Sequence, residues 1–349
     1  MLTDFAKAYL RISMSNILLT GGAGFIGSHI AVELRKAGYV PIILDNLSNS
    51  LDSAVDGISK ITGRKEVLHN IDCRRENEVV DLIEKVGGIS GIVHLAAFKA
   101  VGESVQNPSK YYDNNIGSMG SILRVAEKFC VEQFVFSSSC TVYGSPQEAE
   151  VTESTPMGNA YSPYGYTKQV GERMMIDLVK AGVKTKFVSL RYFNPIGAHP
   201  SAWIGEFPIG KPNNLVPYIC QTSIGLRDEL TVYGNDYNTR DGSCIRDYIH
   251  VCDIATAHVK ALDYMLKPTA PQHDVFNIGT GKGNSVKEII DTFKEVNEIE
   301  FKVIQGSRRP GDVAAIYANN QKAQSILGWH PEYTLADALK HAWNWQKTL

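Results

Sequence analysis

From Asn16 onward, short apolar runs alternate with amphipathic stretches, the signature of βα units feeding a parallel sheet. Asn16–Thr20 reads as a buried strand, Gly27–Ala37 as a helix and Val40–Leu44 as the next strand. Further strands are predicted at Val67–Asn70, Gly91–Leu95, Gln133–Ser137 and Lys186–Leu190. Helices fit between them, at Glu76–Lys85, Ser118–Phe129 and Tyr166–Lys180. The alternation predicts an α/β fold built on a Rossmann-type, doubly wound parallel sheet.

After Arg191 the texture changes. Asn194–Leu215 is rich in Gly, Pro and Asn and lacks periodicity, as an ordered functional loop would. Beyond it come shorter elements, strand-like at Glu229–Tyr233 and Asp274–Asn277 and helix-like at Ala255–Met265 and Ser285–Val296. Two domains are expected: residues 14–193, and a smaller mixed α/β domain over 194–349 from which some segments return to the first.

Composition narrows the class. Of 349 residues, 44% are hydrophobic and 21% charged, an ordinary globular balance. Lys and Arg number 35 against 37 Asp and Glu, so no broad electrostatic grip on nucleic acid or an anionic membrane is expected. No run approaches the roughly 18 apolar residues that span a bilayer. The six cysteines form no CxxC pair and no His-rich neighbourhood, so neither a metal site nor a disulfide framework is expected. Met1–Ser15 has no apolar core of a signal peptide and reads as a short leader ahead of a second start at Met14, giving a cytoplasmic expectation. In that setting the Asn46-Leu47-Ser48 glycosylation match is an accident of composition.

Gly21-Gly22-Ala23-Gly24-Phe25-Ile26-Gly27 follows the first strand and opens the first helix. Glycine is needed where backbone turns tightly and approaches a pyrophosphate too closely for a Cβ. Asp45 ends the next strand, where a carboxylate accepts bonds from adenosine ribose hydroxyls and repels a 2′-phosphate. The cofactor expected is therefore NAD rather than NADP. Leu95-Ala96-Ala97-Phe98-Lys99 follows the fourth strand with small residues suited to a dinucleotide, and Asp72 could face the adenine.

Ser162-Pro163-Tyr164-Gly165-Tyr166-Thr167-Lys168 carries the chemistry. Tyr164 and Lys168 stand one helical turn apart on one face. A tyrosine of pKa ~10 is a poor base at neutral pH, but a neighbouring ammonium and an oxidised nicotinamide both favour the phenolate. An isolated YxxxK is usually a solvated helix face; behind a dinucleotide turn it gains weight. Ser137-Ser138-Ser139 ends the fifth strand, where a hydroxyl can bond the reacting oxygen, and counting does not choose among the three. No G-x-S-x-G elbow supports a serine hydrolase.

Together these features resemble the extended short-chain dehydrogenase/reductase family, in its branch of NAD-dependent epimerases and dehydratases. The resemblance runs from Asn16 to about Trp345 and includes Lys99–Gln106 (KAVGESVQ), Tyr111–Asn115 (YYDNN), Phe136–Ser139 with Thr141–Gly144, Arg191–Pro195 (RYFNP), Pro212–Leu215 (PNNL) and Arg246–Val251 (RDYIHV). It implies that Ser139 is the active serine, Tyr164 the base and Lys168 its helper. It puts Phe25, Ile26, Asn46, Asn49, Ser50, Lys99, Asn114 and Phe193 beside NAD. It assigns a UDP-sugar to Asn194, Asn214, Leu215, Thr231, Val232, Tyr233, Arg246, Arg309 and Asp312, with Lys99, Ser139 and Tyr164 also facing the sugar. Two arginines can clamp a diphosphate bidentately, which agrees with the chemistry.

The implied reaction interconverts UDP-glucose and UDP-galactose through a transient 4-keto sugar. Alternatives are a nucleotide-sugar dehydratase or decarboxylase, or a non-catalytic NAD-binding protein. Cys140-Thr141 after Ser139 supplies no carboxylate for a dehydratase. Ile316 falls where the family tunes room beside the sugar's 2-position, and a branched side chain there predicts a preference for unmodified hexoses. The family also implies a homodimer, through helices such as Ser118–Phe129 and Tyr166–Lys180.

Overall fold

A computed structural model describes residues 15–309 and 311–349; the expected leader before Met14 lies outside them. The chain divides into two compact units. The first takes the described residues up to Ser138 together with Ser162–Leu190 and Ala255–Val275. The second takes Ser139–Tyr161, Arg191–Ile254 and Phe276–Leu349. Ala255–Val275 thus belongs with the first unit and Ser139–Tyr161 with the second, on the other side of 193/194 from most of their own unit.

The first unit is organised by a seven-stranded sheet of Asn16–Thr20, Val40–Asp45, Leu68–Asn70, Gly91–His94, Gln133–Ser139, Lys186–Tyr192 and His273–Ile278. Numbered along the chain, these strands lie in the order 7-6-5-4-1-2-3, and the first five pair parallel. The order reverses beside the first strand, the switch point where doubly wound sheets place ligands. The register sets Leu18 between Ile42 and Ile92, and these residues open a core that includes Val79, Ile122, Phe134 and Phe187. Near-continuous apolar strands of this kind fit a sheet covered on both faces. Segment 255–275 returns here because Gln272 joins the sheet's sixth strand. Its Nε2 donates to the carbonyls of Lys184 and Thr185 at 2.6 and 2.8 Å, and its own carbonyl accepts from Phe187 N at 2.9 Å.

Helix boundaries differ from the sequence reading where caps decide them. The helix expected from Tyr166 starts at Pro163, with Ser162 Oγ accepting from Gly165 N at 3.2 Å. Proline at the first helical position lacks only an N–H that would be orphaned anyway.

The second unit centres on Ile245–His250. That strand pairs antiparallel with Gly283–Ser285, and parallel with Ala315–Ala318 and Asn194–Ile196. Glu150–Val151 extends the sheet beyond Ala315–Ala318, while Leu230–Tyr233 pairs parallel with Val303–Gly306 as a separate ribbon. The expected loop after Arg191 thus begins with a strand. Asn194–Ile196, Gly283–Ser285 and Ala315–Ala318, three or four residues long, carry too little periodicity to stand out, and the sequence reading passed over them. Among the described residues, no helix is long and apolar enough to cross a membrane.

Candidate active site

In the first unit the glycine turn is fixed by close backbone approach. Gly21 adopts φ +71°, and a Cβ there would stand 3.0 Å from Ala96 N. A Cβ at Gly27 would lie 2.2 Å from Gly21 O, so no other residue fits without displacing the turn. Helix Phe25–Lys36 begins immediately, with no side-chain cap at Gly24. The result is a side-chain-free cradle at a helix N-terminus, which suits a pyrophosphate.

Asp45 holds this cradle. Its Oδ2 accepts from Ala23 N at 3.1 Å, and its Oδ1 accepts from Leu47 N and Ser50 Oγ at 2.9 and 2.8 Å. Two carboxylate oxygens can accept about four bonds, so capacity remains for one ribose hydroxyl. Asp72 is engaged differently. Arg74 hydrogen-bonds and ion-pairs it at 2.7 Å, holding the carboxyl below the usual range, and Asn46 Nδ2 donates to it at 3.5 Å. Asn49 is exposed in the same loop.

Leu95 N and Ala96 N both donate to Thr20 Oγ1, at 3.3 and 3.4 Å, so the loop after the fourth strand is tied to the end of the first. Lys99 Nζ stands 6.0 Å over the Phe25 ring. Asn114 Nδ2 donates to Asn115 Oδ1 at 3.0 Å. Asn115, which the sequence reading did not single out, is the hub. It accepts from Phe98 N at 2.9 Å and donates to Phe98 O and Thr167 Oγ1 at 3.0 and 3.1 Å. It therefore locks the cofactor-side loop to the helix of Tyr164.

On that helix, Lys168 is buried, with Nζ donating to Ser137 O at 2.6 Å. The ammonium stands 5.8 Å from the centroid of the half-buried Tyr164 ring and 5.0 Å from that of Phe136. Burial pushes the Lys168 amine down to about 7, with the charge of Glu172 acting the other way. Gly171 lets the Phe136 ring approach, since a Cβ there would stand 2.5 Å from Cζ. The ring of His94 stacks on Phe136 at 6.2 Å, and burial drives that imidazole to about 3, so it is neutral.

The serines separate by role. Ser137 offers its carbonyl to Lys168, and Ser138 Oγ donates to buried Glu172 at 2.5 Å. In the second unit, Ser139 Oγ accepts from Thr141 N at 3.2 Å and caps the short turn Cys140–Tyr143. Cys140 beside it is pushed up to about 11 by burial.

The second unit also gathers the polar set assigned to a nucleotide sugar. Arg309 lies 4.6 Å over the Tyr233 ring, and Arg246 Nη2 stands 3.6 Å from Asp312 Oδ1. Thr231, Val232 and Tyr233 lie in the parallel ribbon, where Gln305 Nε2 donates to Val232 O at 2.8 Å. Asn214 precedes helix Leu215–Ser223, and its Nδ2 donates to Glu206 Oε1 at 2.7 Å. Phe193 and Ile316 are buried together with Val142, Tyr143 and Val151. Ile316 is the register partner of Arg246, so the two side chains stand on the same sheet face. Asn194 is the register partner of Tyr248. Asp247, which the sequence reading passed over, accepts from Thr280 N, Gly281 N and Ala318 N at 2.8, 3.0 and 3.2 Å. It stitches the sheet beneath Arg246. Among the described residues, no cluster of three or more His, Cys, Asp or Glu gathers to hold a metal ion.

The family described as GDP-mannose 4,6 dehydratase matches residues 18–342. The UDP-glucose 4-epimerase of Bacillus subtilis (strain 168) is 45% identical over 95% of this chain and 97% of its own length. Two crystal structures are each 42% identical, covering 96% of this chain and 98% of theirs. One is the UDP-glucose-4-epimerase from Stenotrophomonas maltophila with bound NAD and formylated UDP-arabinopyranose, at TM-score 0.92. The other is that from Bifidobacterium longum in complex with NAD+ and UDP, at TM-score 0.91.

Proposed function

The chain belongs to the UDP-glucose 4-epimerase family, and from that premise we propose that it interconverts UDP-glucose and UDP-galactose using tightly bound NAD. The observation that carries the reading is the buried Lys168 ammonium 5.8 Å from the Tyr164 ring, one turn along the same helix. A binding protein has no use for a charge placed to stabilise a phenolate.

NAD fits the cradle of Gly21, Gly24, Phe25, Ile26 and Gly27, with Asp45, Ser50, Leu95–Ala97, Lys99, Asn114 and Phe193 as further holding residues. Bound there, it would supply a reversible hydride acceptor. Tyr164, as phenolate, takes the proton of the sugar's 4-hydroxyl, and Lys168 stabilises that phenolate. Ser139 bonds the reacting oxygen and relays its proton. C4 would give up its hydride as the 4-hydroxyl loses its proton, and the resulting 4-ketone would turn about its diphosphate linkage, so that C4 regains hydride on its opposite face while Tyr164 returns the proton to the 4-oxygen. Arg246 and Arg309 hold the diphosphate while the hexose turns, and Thr231–Tyr233 with Asn214 and Leu215 hold the uridine. A loose sugar pocket with a tight nucleotide pocket follows from that demand. Asn194, Asp312 and Ile316 complete its sugar side.

The experiment is extraction of dinucleotide from purified protein together with conversion of UDP-galactose to UDP-glucose. Bound NAD with conversion is the expected result. Bound NAD with a 4-keto-6-deoxy product would instead establish a dehydratase, and absence of any turnover a binding protein. For the assembly, we propose a homodimer packed through helices Gly117–Lys128 and Pro163–Lys180; light scattering at monomer mass would refute it.

A further inference from the structure

Glu172 has no part in the reaction as described, yet it is fully buried, one helical turn beyond Lys168 and two beyond Tyr164. A buried carboxylate is costly unless it is hydrogen-bonded and paired. Ser138 Oγ donates to it at 2.5 Å, and the neighbouring Ser137 carbonyl receives Lys168 Nζ at 2.6 Å. Two consecutive strand residues thus grip two consecutive turns of the helix, one through the acid and one through the base. We propose that Glu172 is a positioning residue, whose buried charge keeps Lys168 protonated and aimed at Tyr164.

This inference rests on the epimerase reading above. The groups facing the pair can be named. His94 on the fourth strand is neutral, because burial and the Lys168 charge both oppose its protonation. Beside Tyr164, Tyr111 stays a phenol, pushed upward by burial and by its bond to Glu103. Against burial, which discharges Lys168, the Glu172 charge acts in the opposite sense. With a neutral residue at 172, a Tyr–OH/Lys–NH₂ pair displaces the phenolate/ammonium pair. The two pairs hold the same number of protons, so the loss at neutral pH is not recovered by small pH changes. Only high pH, which forms the phenolate without the ammonium, restores activity.

Glu172→Gln keeps shape and the acceptor for Ser138 while deleting the charge. Its kcat at pH ~7 is expected to fall at least ~10-fold with KM for UDP-galactose within ~2-fold, and to recover partly at high pH. In a Lys168→Met background the same change should cost less than ~2-fold, since the acid acts through the lysine. Losses that multiply in the double variant would mean a merely structural role and would overturn the proposal. Glu172→Asp retains the charge and should keep more kcat than Gln; the reverse order counts against it. Independently of any Glu172 variant, the ¹³Cε signal of Lys168, identified by its absence from Lys168→Met protein, should report a charged amine at pH ~6. An amine already neutral there overturns the proposal. The titration needs no turnover, so a protein inactive on UDP-sugars refutes the epimerase reading, while the same titration on Glu172→Gln protein, where the Lys168 amine should discharge at lower pH than in wild type, still decides the Glu172–Lys168 coupling; an unmoved titration overturns the proposal.

Discussion

Replacing Lys168 with Met removes a charge while keeping an unbranched apolar stem against Phe136. The ammonium stands 5.8 Å from the Tyr164 ring. Placing the phenolate charge at the ring centre, with an effective dielectric of about 20, gives an attraction of about 3 kcal/mol. Divided by about 1.4 kcal/mol per pKa unit, this raises the tyrosine by about two units in the variant. The sign follows directly: the active form is the phenolate, so a higher pKa depletes it at neutral pH and restores it as pH rises. Activity at pH ~7 should fall about 100-fold, and the rising limb of the pH–rate profile should move up by about two units. Melting should fall as well, because the variant leaves the Ser137 carbonyl without its donor and the buried Glu172 carboxylate without the neighbouring ammonium. The assay is UDP-galactose conversion from pH ~6 to ~10, alongside a thermal melt. A profile of wild-type shape and position, at any rate, would refute the idea that Lys168 tunes Tyr164.

Other substitutions test the remaining parts. Tyr164→Phe removes only the phenolic oxygen, so UDP and NAD should still bind by calorimetry while turnover falls at least ~100-fold; near-normal turnover would remove Tyr164 as the base. Gly27→Ala sets a Cβ 2.2 Å from Gly21 O, so the purified variant should carry little dinucleotide; a full complement of NAD would show that the turn is not the cradle. Ile316→Ala opens space in a buried cluster beside Arg246, and should move the kcat/KM ratio toward UDP-N-acetylgalactosamine by about 10-fold. The variant also loses a few kcal/mol of stability by about the usual core-truncation scale, so the ratio, not the rate, is the readout, and an unmoved ratio means that Ile316 does not gate the sugar.

The sequence by itself determined the doubly wound sheet, because apolar strands buried on both faces and amphipathic helices leave strong, local periodic signals. It also determined the glycine turn and the Tyr164/Lys168 spacing, since a tight βα turn and a one-turn separation are properties of neighbouring residues. Tertiary structure alone decided the rest. That Ser138 faces Glu172 while Ser137 gives its carbonyl to Lys168 depends on how strand Gln133–Ser139 meets helix Pro163–Lys180, which no local pattern encodes. Asn115 became a hub only because Phe98 and Thr167, 17 and 52 residues away, converge on its amide. Asp247 and the short strands around it are held by partners more than thirty residues distant, such as Thr280 and Ala318. The exchange of segments 139–161 and 255–275 between units has the same origin: strand His273–Ile278 is placed by hydrogen bonds to a distant edge, and hydrogen bonds across long loops leave no mark in local sequence.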